Sequence, residues 1–232
     1  MKKKILIGVG LFLVLIIGVI GYIVVSDLKQ EEKLKDELEE LNMLVNEENI
    51  DIDKVKEMLN RTVTTGDYKV VEESFKEYLS DTFDSIFQMM DILNSDKLVS
   101  ILTAENYQND GPNFTETKAY ITETKNKLEE LKNSYYSFLT EEKAMSYIEN
   151  KGLDSYYVDL YKDEYVGDME NVSEDKTVED SVNQIIEILN VSEEVINFLS
   201  ENSSSWHIED NVIVFDTDEL SNMYTELINK IQ

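Results

Sequence analysis

The chain has 232 residues, with 49 acidic against 21 basic side chains and a formal net charge of −28. So strong an acidic balance repels phosphates and anionic membrane surfaces and excludes nucleic acid as a partner, while the absence of cysteine excludes disulfides, thiol catalysis and thiolate metal sites together. Hydrophobic residues make up 42% of the chain, but it has only eight glycines and one proline, a balance that favours packed helices over a turn-rich β architecture.

The first element is apolar. Lys2, Lys3 and Lys4 precede Ile5 to Val25, 21 residues without a charge. About 20 residues at 1.5 Å each cross a bilayer core, and lysines before the run hold the N-terminus in the cytoplasm. An uncleaved anchor fits better than a cleaved signal peptide. No A-x-A site is present, and a cut after Gly21, with Val19 at −3, would leave four apolar residues beyond it. No cysteine follows for lipid attachment. The expected organisation is a cytoplasmic tail over 1–4, a transmembrane signal anchor over 5–25, a juxtamembrane amphipathic segment over 26–62 and an acidic helical ectodomain over 63–232.

Residues 27–60 carry a heptad stripe of Leu34, Leu38, Leu41, Val45, Ile52, Val55 and Leu59, broken at Glu48. Asn49 to Asp51 punctuate it, with Asp51 as a cap. The stripe fits either a short coiled coil that dimerises the protein above the membrane or, preferably, a first pair of helices packed on their own domain. After a break at Thr64–Asp67, the spacing of Val71, Phe75, Tyr78, Leu79, Phe83, Ile86, Met90 and Leu93 predicts a long helix. A short helical piece with Leu98, Ile101 and Leu102 follows. Ala104 to Phe114, rich in turn residues, reads as a loop.

Thr115 then caps a helix with Ile121, Thr124, Leu128, Leu131, Tyr135 and Phe138 on one face. Thr140 opens another, which Gly152 ends. A Tyr-rich helix places Tyr157, Tyr161 and Tyr165 one turn apart, and 167–176 reads as an acidic linker. Val178, Val182, Ile185 and Leu189 form the next stripe, and Ser192 caps a helix with Val195, Ile196 and Leu199. WHI–EDN–VIVF, from Trp206 to Phe215, is the one hairpin signal. Asp216 with Glu219 caps a last helix with Leu220, Tyr224, Leu227 and Ile231. The fold class is mainly α: one N-terminal transmembrane helix, then an extracytoplasmic helical bundle with a small C-terminal β-hairpin.

Motifs for chemistry are missing. There is no G-x-S-x-G and no Walker loop, and the two S-x-x-K matches, Ser26–Lys29 and Ser173–Lys176, lack their partner motifs. A single histidine, His207, rules out a two-histidine zinc site within one chain. An EF-hand frame over Asn106–Thr117 fails at its first and twelfth positions. Among 49 acidic residues close carboxylate pairs are unavoidable, so they do not single out a glycosidase. No cofactor, metal or catalytic residue is expected. The candidate interaction surface is Tyr157, Tyr161 and Tyr165 on the Tyr-rich helix, with Trp206 and His207 on the hairpin, although rings at helical spacing commonly pack in a core.

The lysine-plus-apolar start, the stretch NYQNDGPNFTETKAYI and the tail WHIEDNVIVF followed by a helix carry a resemblance. In these the chain resembles signal-anchored helical ectodomain proteins of Gram-positive bacteria. No activity is assigned to that group, so the resemblance implies an address and an architecture and transfers no functional residue. The expected function is a non-enzymatic interaction, scaffold or accessory module at the cell surface, held in the bilayer through 5–25 and working on a protein partner or as a homodimer. A ligand-binding or sensing ectodomain is the alternative, and a carboxylate-based cell-wall hydrolase a distant third.

Overall fold

The structure, a computed structural model, describes residues 29–45, 50–166 and 176–231, without the side chains of Glu164 and Tyr165. The expected tail over 1–4, the expected signal anchor over 5–25 and nearly all of the expected acidic linker lie outside the described residues. Among those described, no helix is long and apolar enough to cross a membrane. They are mainly helical, with one two-stranded antiparallel sheet.

The elements are α1 (Lys29–Val45), α2 (Ile52–Asn60), α3 (Asp67–Leu93), α4 (Asp96–Ser100), α5 (Ala104–Asp110), α6 (Thr115–Phe138), α7 (Glu141–Met145), α8 (Ser155–Tyr161), a π-helical turn (Lys162–Val166), α9 (Thr177–Glu201), β1 (Trp206–Glu209), β2 (Val212–Phe215) and α10 (Asp218–Asn229). Among the described residues, they divide into two compact units. One comprises residues 29–88 and 131–179, the other 89–130 and 180–231.

In the first unit, Leu34, Leu38, Leu41 and Val45 of α1 are buried with Val55 and Leu59 of α2, so the heptad stripe is covered inside its own chain. Asp51 caps α2 by accepting the amide of Lys54 at 3.0 Å. The predicted face of α3 is buried throughout, from Val71 and Phe75 to Leu79 and Phe83. Thr140 caps α7 and Asp154 caps α8. Gly152 sits at φ +76°, a backbone that side chains with a Cβ adopt only under strain.

The second unit differs from the sequence reading at several points. Residues 104–110 are helical rather than a loop, because Thr103 caps α5 and Tyr107 is buried from it. The turn residues act only from Gly111, where a Cβ would collide with the Tyr107 carbonyl that ends the helix. Thr115 does not cap α6. The Asp110 carboxylate does, accepting the amides of Glu116 at 3.2 Å and Thr117 at 2.7 Å. Ser192 starts no helix either. Its hydroxyl donates back to Ile188 O at 2.8 Å, and α9 runs through unbroken. Thr217 rather than Asp216 caps α10. In the hairpin, Trp206 pairs with Phe215 and Glu209 with Val212. Asp210 and Asn211 between them both have positive φ, as a two-residue type I′ turn requires.

Candidate functional site

The first unit contains a cluster of buried charges. Glu37 and Lys76 meet at 2.6 Å, and Lys76 also meets Glu72 at 2.8 Å. Arg61, the only arginine in the chain, grips Glu37 through Nε and Nη2 at 2.8 and 2.7 Å and reaches Glu40 at 2.8 Å. Glu72 also accepts the amides of Val63 and Thr64 and the Thr64 hydroxyl. Burial alone would raise the Glu37 and Glu72 pKa values. The hydrogen bonds, from Arg61 and Lys76 to Glu37 and from Lys76, Thr64 and Val63 to Glu72, outweigh it, and both are lowered. With every buried charge answered, the cluster acts as a clamp that ties the 61–64 segment to α1 and α3. A proton-transfer site would need a less committed carboxyl.

The second feature of this unit is a tyrosine set at the start of α1. The Glu31 carboxylate is buried and accepts two hydroxyls, from Tyr68 and Tyr156, each at 2.6 Å. Tyr157 stands edge-on to Tyr68 with ring centroids 5.1 Å apart, and edge-on to Tyr156 at 5.2 Å. Tyr156 is 49% exposed. Tyr161 is fully buried, packed edge-on against Phe75, with its hydroxyl on Ala144 O at 3.0 Å. It therefore offers no surface. Tyr165 belongs to the π-helical turn, where 3.6-residue spacing no longer applies. Its side chain lies outside the described residues.

In the second unit, Trp206 is a packing residue. Its indole donates to Leu199 O at 2.8 Å, and its ring stacks on Phe114 and meets Tyr107 edge-on. His207 points the other way along the strand and is exposed, paired across the hairpin with Val214. Tyr107 and Tyr224 share a hydroxyl bond at 3.1 Å. An open cleft of about 370 Å³ lies beside Asp91, Ser95, Tyr120, Glu123 and Lys127, with the Tyr120 hydroxyl 3.0 Å from that of Ser95, which itself donates to Ile92 O at 2.8 Å. Among the described residues, no group of His, Asp or Glu is placed to hold a metal ion.

Although α10 is amphipathic, it has no buried residue. Leu220, Tyr224, Leu227 and Ile228 are each half-covered, and Met223 is 46% exposed. On the hairpin that precedes it, Val212 is 60% exposed.

Comparison with protein families, curated proteins and solved structures finds no match.

The functional reading therefore rests on these surfaces. Of the sequence candidates, Tyr157 and Tyr161 share α8 in the first unit, and Trp206 and His207 are neighbours on β1 in the second. Sequence reasoning did not single out Glu31, Tyr68 or Met223. Met223 was findable, since it stands three residues after Leu220 and four before Leu227 and so widens the stripe. The Glu31 pairing was not, because its two tyrosines lie 37 and 125 residues away in the chain.

Proposed function

We propose that this chain is a non-enzymatic contact module, held by residues 5–25 as a single membrane anchor and displayed outside the cytoplasm, where it binds a protein partner. The observation that carries the contact role is α10, an amphipathic helix with no buried residue, although Ile231, the last member of its predicted stripe, is buried just past its end. Single exposed apolar residues are ordinary on protein surfaces; here Tyr224 is engaged by Phe215 and Tyr107, while Met223, 46% exposed, stands between the partly covered Leu220 and Leu227 and gives an apolar edge open to a partner. The anchor is supported by the length of the uncharged run and by the lysines before it.

A photocrosslinker placed at Met223 of the anchored protein in its own membrane tests the contact role. The expected result is a discrete adduct that is lost when Leu220→Asp is added and absent when the crosslinker stands at Thr225, on the opposite side of α10. Unreacted monomer at Met223, or equal adducts at both positions, would remove the support for α10 as a contact face.

A further inference from the structure

The tyrosine set of the first unit lies where the chain leaves its proposed anchor. Glu31 is six residues beyond Val25, the last residue of the apolar run. Six residues span about 9 Å as helix and about 20 Å at full extension. The headgroup layer adds about 5–8 Å to each side of the hydrocarbon core. Whatever is bound to Glu31 therefore lies at the outer edge of the headgroup layer if the six residues are helical and at most about 15 Å beyond it if they are extended. Three segments are bound there. The first turn of α1 supplies Glu31 to Tyr68, at the start of α3, and to Tyr156, at the start of α8. Gln30 accepts the amide of Thr65 at 3.2 Å.

Charge distinguishes this end of the unit from the rest of the chain. Residues 29–33, 65–69 and 151–157 contain Lys29, Lys33, Lys69 and Lys151 against Glu31, Glu32, Asp67 and Asp154, four of each sign. Two of these lysines answer acids just outside the segments, Lys69 to Glu73 at 3.5 Å and Lys151 to Glu77 at 3.8 Å, so on a chain of net charge −28 the repulsion from an anionic bilayer is weakened here rather than removed. Tyrosine is the side chain that suits the boundary between lipid and water, with an apolar ring and a polar tip. Tyr156 shows half of its surface, and Tyr157 is half-covered beside it.

We propose that Tyr156 and Tyr157, with the first turns of α1 and α3, form a foot that rests in the lipid headgroup layer and fixes the orientation of the first unit on the membrane. The proposal rests on the reading of residues 5–25 as an anchor. Glu31 holds the Tyr156 hydroxyl on the protein side, and the Tyr156 ring, with Tyr157 beside it, is left to the interface.

The chain has no cysteine, so single labels are unambiguous. The full-length protein carries a fluorophore at Ser155→Cys or, separately, at Met43→Cys. Met43 is 64% exposed and stands 12 residues beyond Glu31 on the same helix, about 18 Å farther along its axis. Each is reconstituted in phosphatidylcholine–phosphatidylglycerol vesicles containing a headgroup-nitroxide lipid, and flotation reports whether the chain is anchored. The expected result is flotation of both, with quenching several-fold stronger at 155 than at 43. Flotation with equal quenching, or with stronger quenching at 43, overturns the foot and leaves the anchor standing. A chain that does not float overturns the anchor, and the foot falls with it.

Discussion

Lys76 and Glu37 meet at 2.6 Å with side chains only 2% and 3% exposed. Two charges removed from water at that depth gain little net stability from each other, because desolvation offsets their attraction. Removing one of them is another matter. Lys76→Met leaves Glu37 with Arg61 alone and Glu72 with only Thr64 and the backbone, both still buried. The expected loss is about 3 kcal/mol, at the lower end for a broken buried pair because those partners remain. Urea unfolding of the variant against the parent chain measures it.

The same cluster sets the response to acid. Glu37 and Glu72 have pKa values lowered in the fold from an ordinary 4.5. A carboxylate lowered in this way binds its proton more readily in the unfolded chain. Its contribution is therefore complete above about pH 4.5 and is lost as the pH falls through the folded values. Urea midpoints measured from pH 7 down to pH 3 should stay level above that point and drop below it. Glu72→Gln should lower the plateau and shallow the drop. A midpoint that rises on acidification contradicts the assignment.

How much of this was legible in the chain follows from the range of the interactions. The stripes of α1, α3 and α6 were readable because helical burial repeats every three or four residues, and Leu38, Phe75 and Leu128 obey the repeat. The hairpin was readable because its strands and turn are local, although the turn is Asp210–Asn211 alone and Glu209, read as part of it, pairs with Val212 in the strands. Residues 104–110 were misread because Asn and Asp favour turns by default, and what overrides that is Tyr107 finding a buried place. The clamp and the Glu31 pairing join residues that are tens of positions apart, and nothing in the local sequence marks Glu37 or Glu31 among so many acids. The surface of α10 was legible as a stripe but not as an exposed one, since periodicity shows which residues share a face and not whether anything covers it.

Asp110 ends one helix and caps the next, with its carboxylate on the amides of Glu116 and Thr117. Burial would raise its pKa, but the Thr117 side chain nearby and the amides of Thr117 and Glu116 together lower it. Asp110→Ala should cost about 1 kcal/mol, the usual value of a lost cap, while Asp110→Asn keeps an acceptor and most of the stability. Thermal unfolding of the pair separates capping from general disturbance of the turn. Equal losses would mean that the charge, rather than the acceptor, is what α6 requires.

Glu31 allows a sharper comparison, because its two tyrosines make the same bond from different environments. Both hydroxyls approach Oε1 at 2.6 Å, but Tyr68 is buried and Tyr156 is half-exposed. Tyr68→Phe removes a donor where water cannot replace it, and a hydrogen bond to a charged group is worth about 1.5–3 kcal/mol. Tyr156→Phe removes a donor where water can, so its cost should stay within about 0.5 kcal/mol, as for surface substitutions generally. Urea unfolding gives both values, and the double variant gives their coupling. Because the two hydroxyls share one oxygen, each tyrosine can partly serve for the other, and the double variant should lose more than the two single losses together. Simple additivity would mean that Glu31 finds another donor once either tyrosine is gone, and that the pairing holds α3 and α8 to α1 less firmly than its distances imply.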